Sequence, residues 1–259
     1  YKRQIEQVAA QEGYAVICMN SHEQYDEEHR NVQSLSGLHV AGIIASVTQE
    51  TADSAHFDAV SEEGTPVVFV ARDINNPHYS SVVADSVEAA RKATHHLASQ
   101  GCRRIALLCG PDRLRMVTER KHGYIEALHE LHIPVRPEYV AYSDIDILSA
   151  INATEAILNL SEPPDAILAL NDILLFGAMR TIRRHGLSMP EDMALMGFSD
   201  VEYARDVSPS LSTIEDQSRL MGETACRTLI AHIRDMRLKP SRIIIPTIQK
   251  IRESSRKKN

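Results

Sequence analysis

Asp165-Ala-Ile-Leu-Ala-Leu170, the helix-spaced segment from Asp172 to His185, the stop Gly186 and the run Met193-Ala-Leu-Met-Gly197 together decide the fold class. Both apolar runs are short and almost unbroken. Runs of that kind, bounded by turn or cap residues, suit strands buried on both faces. Between them, Asp172 is a good helix N-cap and Gly186 a good C-terminal stop. A strand, a covering helix and a second strand make a right-handed parallel crossover.

The same rhythm extends in both directions. Upstream, Tyr14 to Met19, Val40 to Ala45, Pro66 to Val70, Val82-Val83, Arg104 to Cys109 and Tyr139 to Tyr142 read as strands. Helical spacing occupies Ile5 to Ala9, a polar stretch to Ser36, Ala52 to Glu63, Asp85 to Gly101, Thr118 to Leu131 and Leu148 to Leu160. Downstream, a long helix is expected from Asp216 to Met236, then extended segments near Ile243 and Ile248. The class is α/β, with doubly wound parallel sheets. So many units overfill one open sheet, and the loop Asn75-Asn76-Pro77 falls about where two lobes would divide.

Composition fits a globular chain. Of 259 residues, 43% are hydrophobic and 24% charged, and the formal net charge is −7. That acidity argues against gripping nucleic acid with the whole surface. The basic tail Arg252 to Lys258 reads as a solvated end. No apolar run is long enough to span a bilayer. Cys18, Cys102, Cys109 and Cys226 form no C-x-x-C pair and read as buried thiols, and the scattered histidines lack metal-ligand spacing. Dinucleotide, P-loop, nucleophile-elbow and zinc-protease motifs are all absent. Neither a cofactor nor a metal is expected. Tyr1-Lys2-Arg3-Gln4 reads as the middle of a helix, so the chain is expected to be part of a longer protein.

Polar residues recur where an open parallel sheet binds ligands, beyond the carboxyl ends of its strands. Arg120 follows the strand at Arg104 to Cys109, and its planar fork suits paired oxygens. Asn171-Asp172 follows the next strand. Helix capping accounts for Asp172, which leaves Asn171 as the better ligand candidate. Gly197-Phe198-Ser199-Asp200 ends the third, its Gly and Ser expected to open the sheet's crest to a ligand.

Longer stretches resemble the effector-binding core of the LacI/GalR family of bacterial transcription regulators. They are Gly101-Cys-Arg-Arg-Ile-Ala106, Glu119-Arg120-Lys-His-Gly123-Tyr124, Pro164-Asp165-Ala166 to Asn171-Asp172 with Gly177-Ala178, Pro190-Glu191-Asp192 to Gly197-Phe198, Pro209-Ser-Leu-Ser-Thr-Ile214 and Arg252-Glu253-Ser254-Ser255. The resemblance covers essentially the whole chain. It implies a type I periplasmic-binding-protein-like fold, two lobes with a ligand cleft between them. One lobe would be residues 1–84 plus 215–245, without its first strand, and the other 85–214 plus 246–259. It also implies a small-molecule effector, a homodimer, a cytoplasmic location and operator DNA bound through an N-terminal headpiece outside this chain. No enzyme activity and no membrane contact are implied.

Carried over residue by residue, the resemblance makes Arg120, Asn171, Asp172, Asp216, Ser199, Met116, Ile145 and Arg72 candidate ligand contacts. Ser199 and Ala71 stand where many sugar-sensing relatives have Asp, and Ile145 where several stack an aromatic ring. Losing those groups points to a sugar or sugar-derived effector that is smaller or more anionic, suited to Arg120 and Arg72. The alternative is an extracytoplasmic solute-binding protein of the same fold. The Pro-Ser-Leu-Ser-Thr-Ile and Arg-Glu-Ser-Ser segments favour the regulator.

Overall fold

A computed structural model describes residues 1–257, so Lys258 of the basic tail lies outside the described residues. In chain order the elements are α1 (Lys2–Gln11), α2 (Tyr25–Gly37), β1 (Ile43–Ala45), α3 (Ala55–Glu62), β2 (Val67–Val70), β3 (Ser80–Ala84), α4 (Ser86–Ser99), β4 (Ile105–Cys109) and α5 (Arg115–Glu130). Then come β5 (Val140–Tyr142), α6 (Ile147–Leu158), β6 (Ala166–Ala169), α7 (Asp172–Arg184), β7 (Ala194–Phe198), β8 (Ser212–Glu215), α8 (Ser218–Arg234), β9 (Arg242–Ile245) and β10 (Ile248–Lys250). They form two compact units. Unit 1 is Tyr1–Ala84, Arg113–Arg115 and Gln217–Pro246; unit 2 is Asp85–Asp112, Met116–Asp216 and the residues from Thr247 onward. The chain passes between them at Ala84–Asp85, and the Asn/Pro loop lies inside unit 1.

Unit 1 holds a parallel sheet of order β1-β2-β3-β9. On one face Phe57 of α3, Phe69 of β2 and Tyr79 stack edge to face, with ring centroids 5.0 and 5.3 Å apart. That spacing gives aromatic pairs a gain beyond their buried area. On the other face Met221, Ala225 and Leu229 of α8 pack against Val68, Val70 and Val82.

One expected strand is not formed. Tyr14 to Met19 runs without regular structure, and Ala15 through Met19 make no backbone hydrogen bond among the described residues. Val16, Ile17 and Met19 are exposed. An apolar run makes a strand only when a neighbouring backbone pairs with it, and β1 pairs only with β2 on the described residues. Tyr14, Val16, Ile43, Ala45, Leu229 and Ile230 line a cavity of about 410 Å³ beside this segment.

Unit 2 holds a six-stranded sheet of order β10-β8-β7-β6-β4-β5, parallel except for β10, which runs antiparallel to β8. Every residue of β4, β6 and β7 is buried, as the apolar runs predict. Strand β8 was not foreseen: Ser212-Thr-Ile-Glu215 is too polar to read as buried, yet it pairs with β7 through Met196↔Ser212 and Phe198↔Ile214. Its hydroxyls are satisfied inside the protein, which offsets the cost of burying them. Gly123 lets α5 close onto α4, because a Cβ there would stand 2.0 Å from the Val87 carbonyl oxygen.

The basic tail is not a solvated end where it begins. Arg252 binds the Asp200 carboxylate at 2.6 Å and the Leu211 carbonyl at 2.7 Å. Ser254 and Ser255 are fully buried, with the Ser254 hydroxyl donating to the Leu195 carbonyl. Cys102, Cys109 and Cys226 are buried as expected, and Cys18 is exposed. Burial pushes the Cys109 thiol up to about 12. Among the described residues no helix is long and apolar enough to cross a membrane.

Candidate functional site

In unit 2 the carboxyl ends of β6, β7 and β8 converge on one side chain. Arg120, on α5, is 2% exposed. Its Nη1 donates to the Leu170 carbonyl at 2.6 Å, just past β6. Its Nη2 donates to the Asp216 carboxylate at 3.2 Å, just past β8. Its guanidinium lies over the Phe198 ring at the end of β7, 4.1 Å from the centroid. A cation over an aromatic face adds about 1–2 kcal/mol when both are shielded from water. Arg120 is neither a surface ion pair nor an open fork: it ties three strand ends together.

The capping roles at β6 are the reverse of those expected. Asn171 is the N-cap of α7, extended at φ −158° and ψ 148°, and its Oδ1 accepts the Ile173 N–H at 2.7 Å. The strand ends at Ala169, which leaves Asn171 in the extended conformation that a cap requires. Its Nδ2 donors are not engaged by any described residue. Asp172 is the first helical residue and only 1% exposed. Its Oδ2 accepts the Val201 N–H and its Oδ1 the Thr213 hydroxyl, both at 3.0 Å. Burial pushes this carboxyl up to about 7, and the nearby Asp200 and Asp216 charges add to the shift.

Gly197 was expected to open the crest to a ligand. Instead it makes room for Asp172, whose Oδ1 would stand 2.6 Å from a Cβ at that position. Ser199 follows with φ +110° and Asp200 with φ +52°. Both lie in the region that favours glycine, at a cost of about 1–3 kcal/mol each. The turn is held by its amides: Ser199 N–H bonds the Ile214 carbonyl at 2.8 Å and Asp200 N–H the Thr213 hydroxyl at 3.3 Å. The Ser199 side chain is half-buried and bonds no described residue.

Arg120 is thus paired with Asp216, Asp172 is bonded to the turn that follows Ser199, and Asn171 and Ser199 stand beside them in the chain without side-chain bonds to them. Ile145, beyond β5, packs near Gly110, beyond β4, and Met116 is half-buried in the first turn of α5. Arg72 lies in unit 1, beyond β2, where its Nη1 binds the Glu23 carboxylate at 2.8 Å. Phe198, Thr213 and Glu23 were missed as parts of these networks. The first two stand inside quoted motifs, and nothing local marks Glu23. No group of three or more His, Cys, Asp or Glu among the described residues could hold a metal ion.

Residues 94–255 match the family model of the periplasmic-binding-protein-like domain. The chain belongs to this family. Its periplasmic-binding-protein-like relatives include the ribose operon repressor of Halalkalibacterium halodurans, 29% identical over 254 residues, 98% of this chain and 74% of that protein. The HTH-type transcriptional regulator CelR of Thermobifida fusca is 30% identical over 222 residues, covering 85% of this chain and 65% of that protein. A solved structure of a transcriptional regulator CelR–cellobiose complex superposes with a TM-score of 0.90 at 27% identity, covering 97% of this chain and 76% of that one. The likeness is to LacI-type regulators, as the motifs imply: a Bacillus cereus structure named as a LacI transcriptional regulator superposes with a TM-score of 0.89 at 26% identity, covering 98% of this chain and 89% of that one, and these relatives are named as regulators and repressors.

Proposed function

We propose that this chain is the ligand-sensing part of a LacI-type transcriptional regulator, and that its effector is a small, neutral, hydroxyl-rich molecule held at the carboxyl ends of the unit 2 strands. The observation that carries the reading is the set Arg120, Asn171, Ser199 and Asp216 at adjacent strand ends. It offers open amide donors, a hydroxyl and a carboxylate, the mixture that sugar hydroxyls need. Neutrality follows from charge. Arg120 already faces Asp216, and Arg72 faces Glu23. An anionic effector would have to share either arginine with a carboxylate already bound to it.

Units 1 and 2 are read as the two lobes of the family. The regulator would act in the cytoplasm as a homodimer and reach operator DNA through a headpiece outside this chain. Effector binding would shift a conformational equilibrium, and a coupling of about 1–3 kcal/mol is enough to change operator occupancy usefully. No catalytic step is needed.

Thermal unfolding with panels of neutral sugars, sugar acids and sugar phosphates tests this. A neutral sugar at one hundred times its Kd is expected to stabilise the protein by about 2.7 kcal/mol. Asp216→Asn should weaken that sugar tenfold or more, since the carboxylate is its charged acceptor. Stabilisation by anionic compounds alone would overturn the reading.

A further inference from the structure

We propose that Asp172 is a positioning residue: its carboxyl sets the turn at Ser199 and Asp200, so that the way Ser199 meets an effector depends on whether Asp172 carries a proton. The effector half of this rests on the function proposed above. The switch itself does not, and it is tested without ligand.

Two consecutive amides of the turn converge on this carboxyl. Val201 N–H donates directly to Oδ2. Asp200 N–H donates to the Thr213 hydroxyl, which in turn donates to Oδ1. Ser199 and Asp200, at φ +110° and +52°, are held in their left-handed backbone by these bonds together with Ser199 N–H to the Ile214 carbonyl and Arg252 on the Asp200 carboxylate. Asp172 itself cannot move aside, because it is 1% exposed and packed against the Cα of Gly197. A carboxyl so enclosed cannot reach an effector. It acts through the backbone it holds.

Its charge state is poised to matter. The ionisable groups that act on it are Asp200, beyond β7, and Asp216, beyond β8. Each is paired in turn, Asp200 with Arg252 of the carboxyl-terminal segment and Asp216 with Arg120 of α5. Ionised Asp172 would make three carboxylates against two arginines. Burial already pushes its carboxyl up to about 7. When the acid is protonated, its proton needs an acceptor, and the Thr213 oxygen is the neighbour at 3.0 Å. The Thr213 hydroxyl would then turn, and the bond from Asp200 N–H to that oxygen would change with it. Protonation is thereby transmitted to the turn by a named path.

An effector that covers this turn would also strip water from the Asp216 carboxylate, strengthening its field at Asp172 and favouring the protonated form of Asp172. Its Kd should then rise with pH above about 7, by up to tenfold per unit.

The ligand-free test is a pH titration of backbone amide resonances between pH 5 and 9. The Val201 amide is expected to shift with a midpoint near pH 7, and the Asp200 amide to follow it. Asp172→Asn, which keeps an acceptor for Val201 N–H, should abolish both transitions. Thr213→Val should leave the Val201 transition in place and remove that of Asp200. A Val201 amide that does not titrate in the wild-type protein, or one that titrates unchanged in Asp172→Asn, overturns the proposal. Should Asp172→Asn fail to fold, the wild-type and Thr213→Val titrations decide it. Loss of the neutral-sugar effect with these titrations intact would overturn only the effector reading.

Discussion

Units 1 and 2 are built from the same strand–helix grammar, yet they finish differently. In unit 2 the six strands pair in unbroken order, and β4, β6 and β7 are buried along their whole length. Unit 1 has four paired strands, and beside β1 runs an apolar segment, Tyr14 to Met19, with no strand pairing. The difference teaches that hydrophobic content marks where a strand can form, and a partner backbone decides whether it does. It also separates two kinds of apolar residue. Those of β7 are fixed on every side, whereas Ile17 is 55% exposed.

The largest expected effect is at Phe198. Its ring is fully buried and lies against the Arg120 guanidinium. Phe198→Ala should destabilise the protein by about 3–5 kcal/mol in denaturant unfolding, from lost burial plus the cavity left behind. A loss below about 1 kcal/mol would mean that unit 2 is as loosely determined as the unpaired segment of unit 1.

A second effect sharpens the contrast through pH. In unit 2, His96 is half-buried and hydrogen-bonded to the Ser255 hydroxyl at 2.7 Å, and burial holds its imidazole below the usual histidine range. With a folded pKa below the unfolded one, the unfolded chain binds protons first. Stability should therefore fall as pH drops below about 6.5. Because Asp172 acts in the opposite direction over part of this range, the test is a difference: in thermal unfolding between pH 8 and 5, the wild-type protein should lose stability relative to His96→Gln as the pH falls below about 6.5. Asp172 works in the opposite direction. Its folded pKa is raised, so its contribution to stability declines as pH rises from about 4 to about 7.

The smallest effect belongs to unit 1. Ile17→Ala should change stability by no more than about 0.5 kcal/mol, since the side chain is more than half exposed. The same unfolding measurement checks it. A loss of 2 kcal/mol or more would show the segment to be packed, and the comparison between the units would fail.

Much of this architecture was legible because apolar runs such as Ile105 to Cys109 and Ala166 to Leu170 have one good use, a strand covered on both faces. Strand β8 was not legible, because Ser212, Thr213 and Glu215 satisfy their polar groups through partners that sequence does not reveal. Cap and helix start were exchanged at Asn171 and Asp172 because both residue types cap well, and only the point where β6 ends decides between them. At the candidate site, Arg120 stands out in the sequence as a ligand candidate, but its surroundings were not legible. Its ties to Leu170, Phe198 and Asp216 join segments far apart in the chain, and no local pattern records such closures. Glu23 beside Arg72 was hidden for the same reason.

The segment Ala15 to Met19 has a consequence for how long the protein survives. Proteases bind their substrates as extended chains several residues long, and most folded proteins must open locally before any such stretch is presented. Here Ala15 to Met19 lie outside any helix or strand, their amides and carbonyls make no backbone hydrogen bond among the described residues, and all five side chains are exposed. Cleavage would begin in unit 1 without waiting for unfolding. The working lifetime of this chain would then be set by these few residues, however stable the unit that carries Arg120.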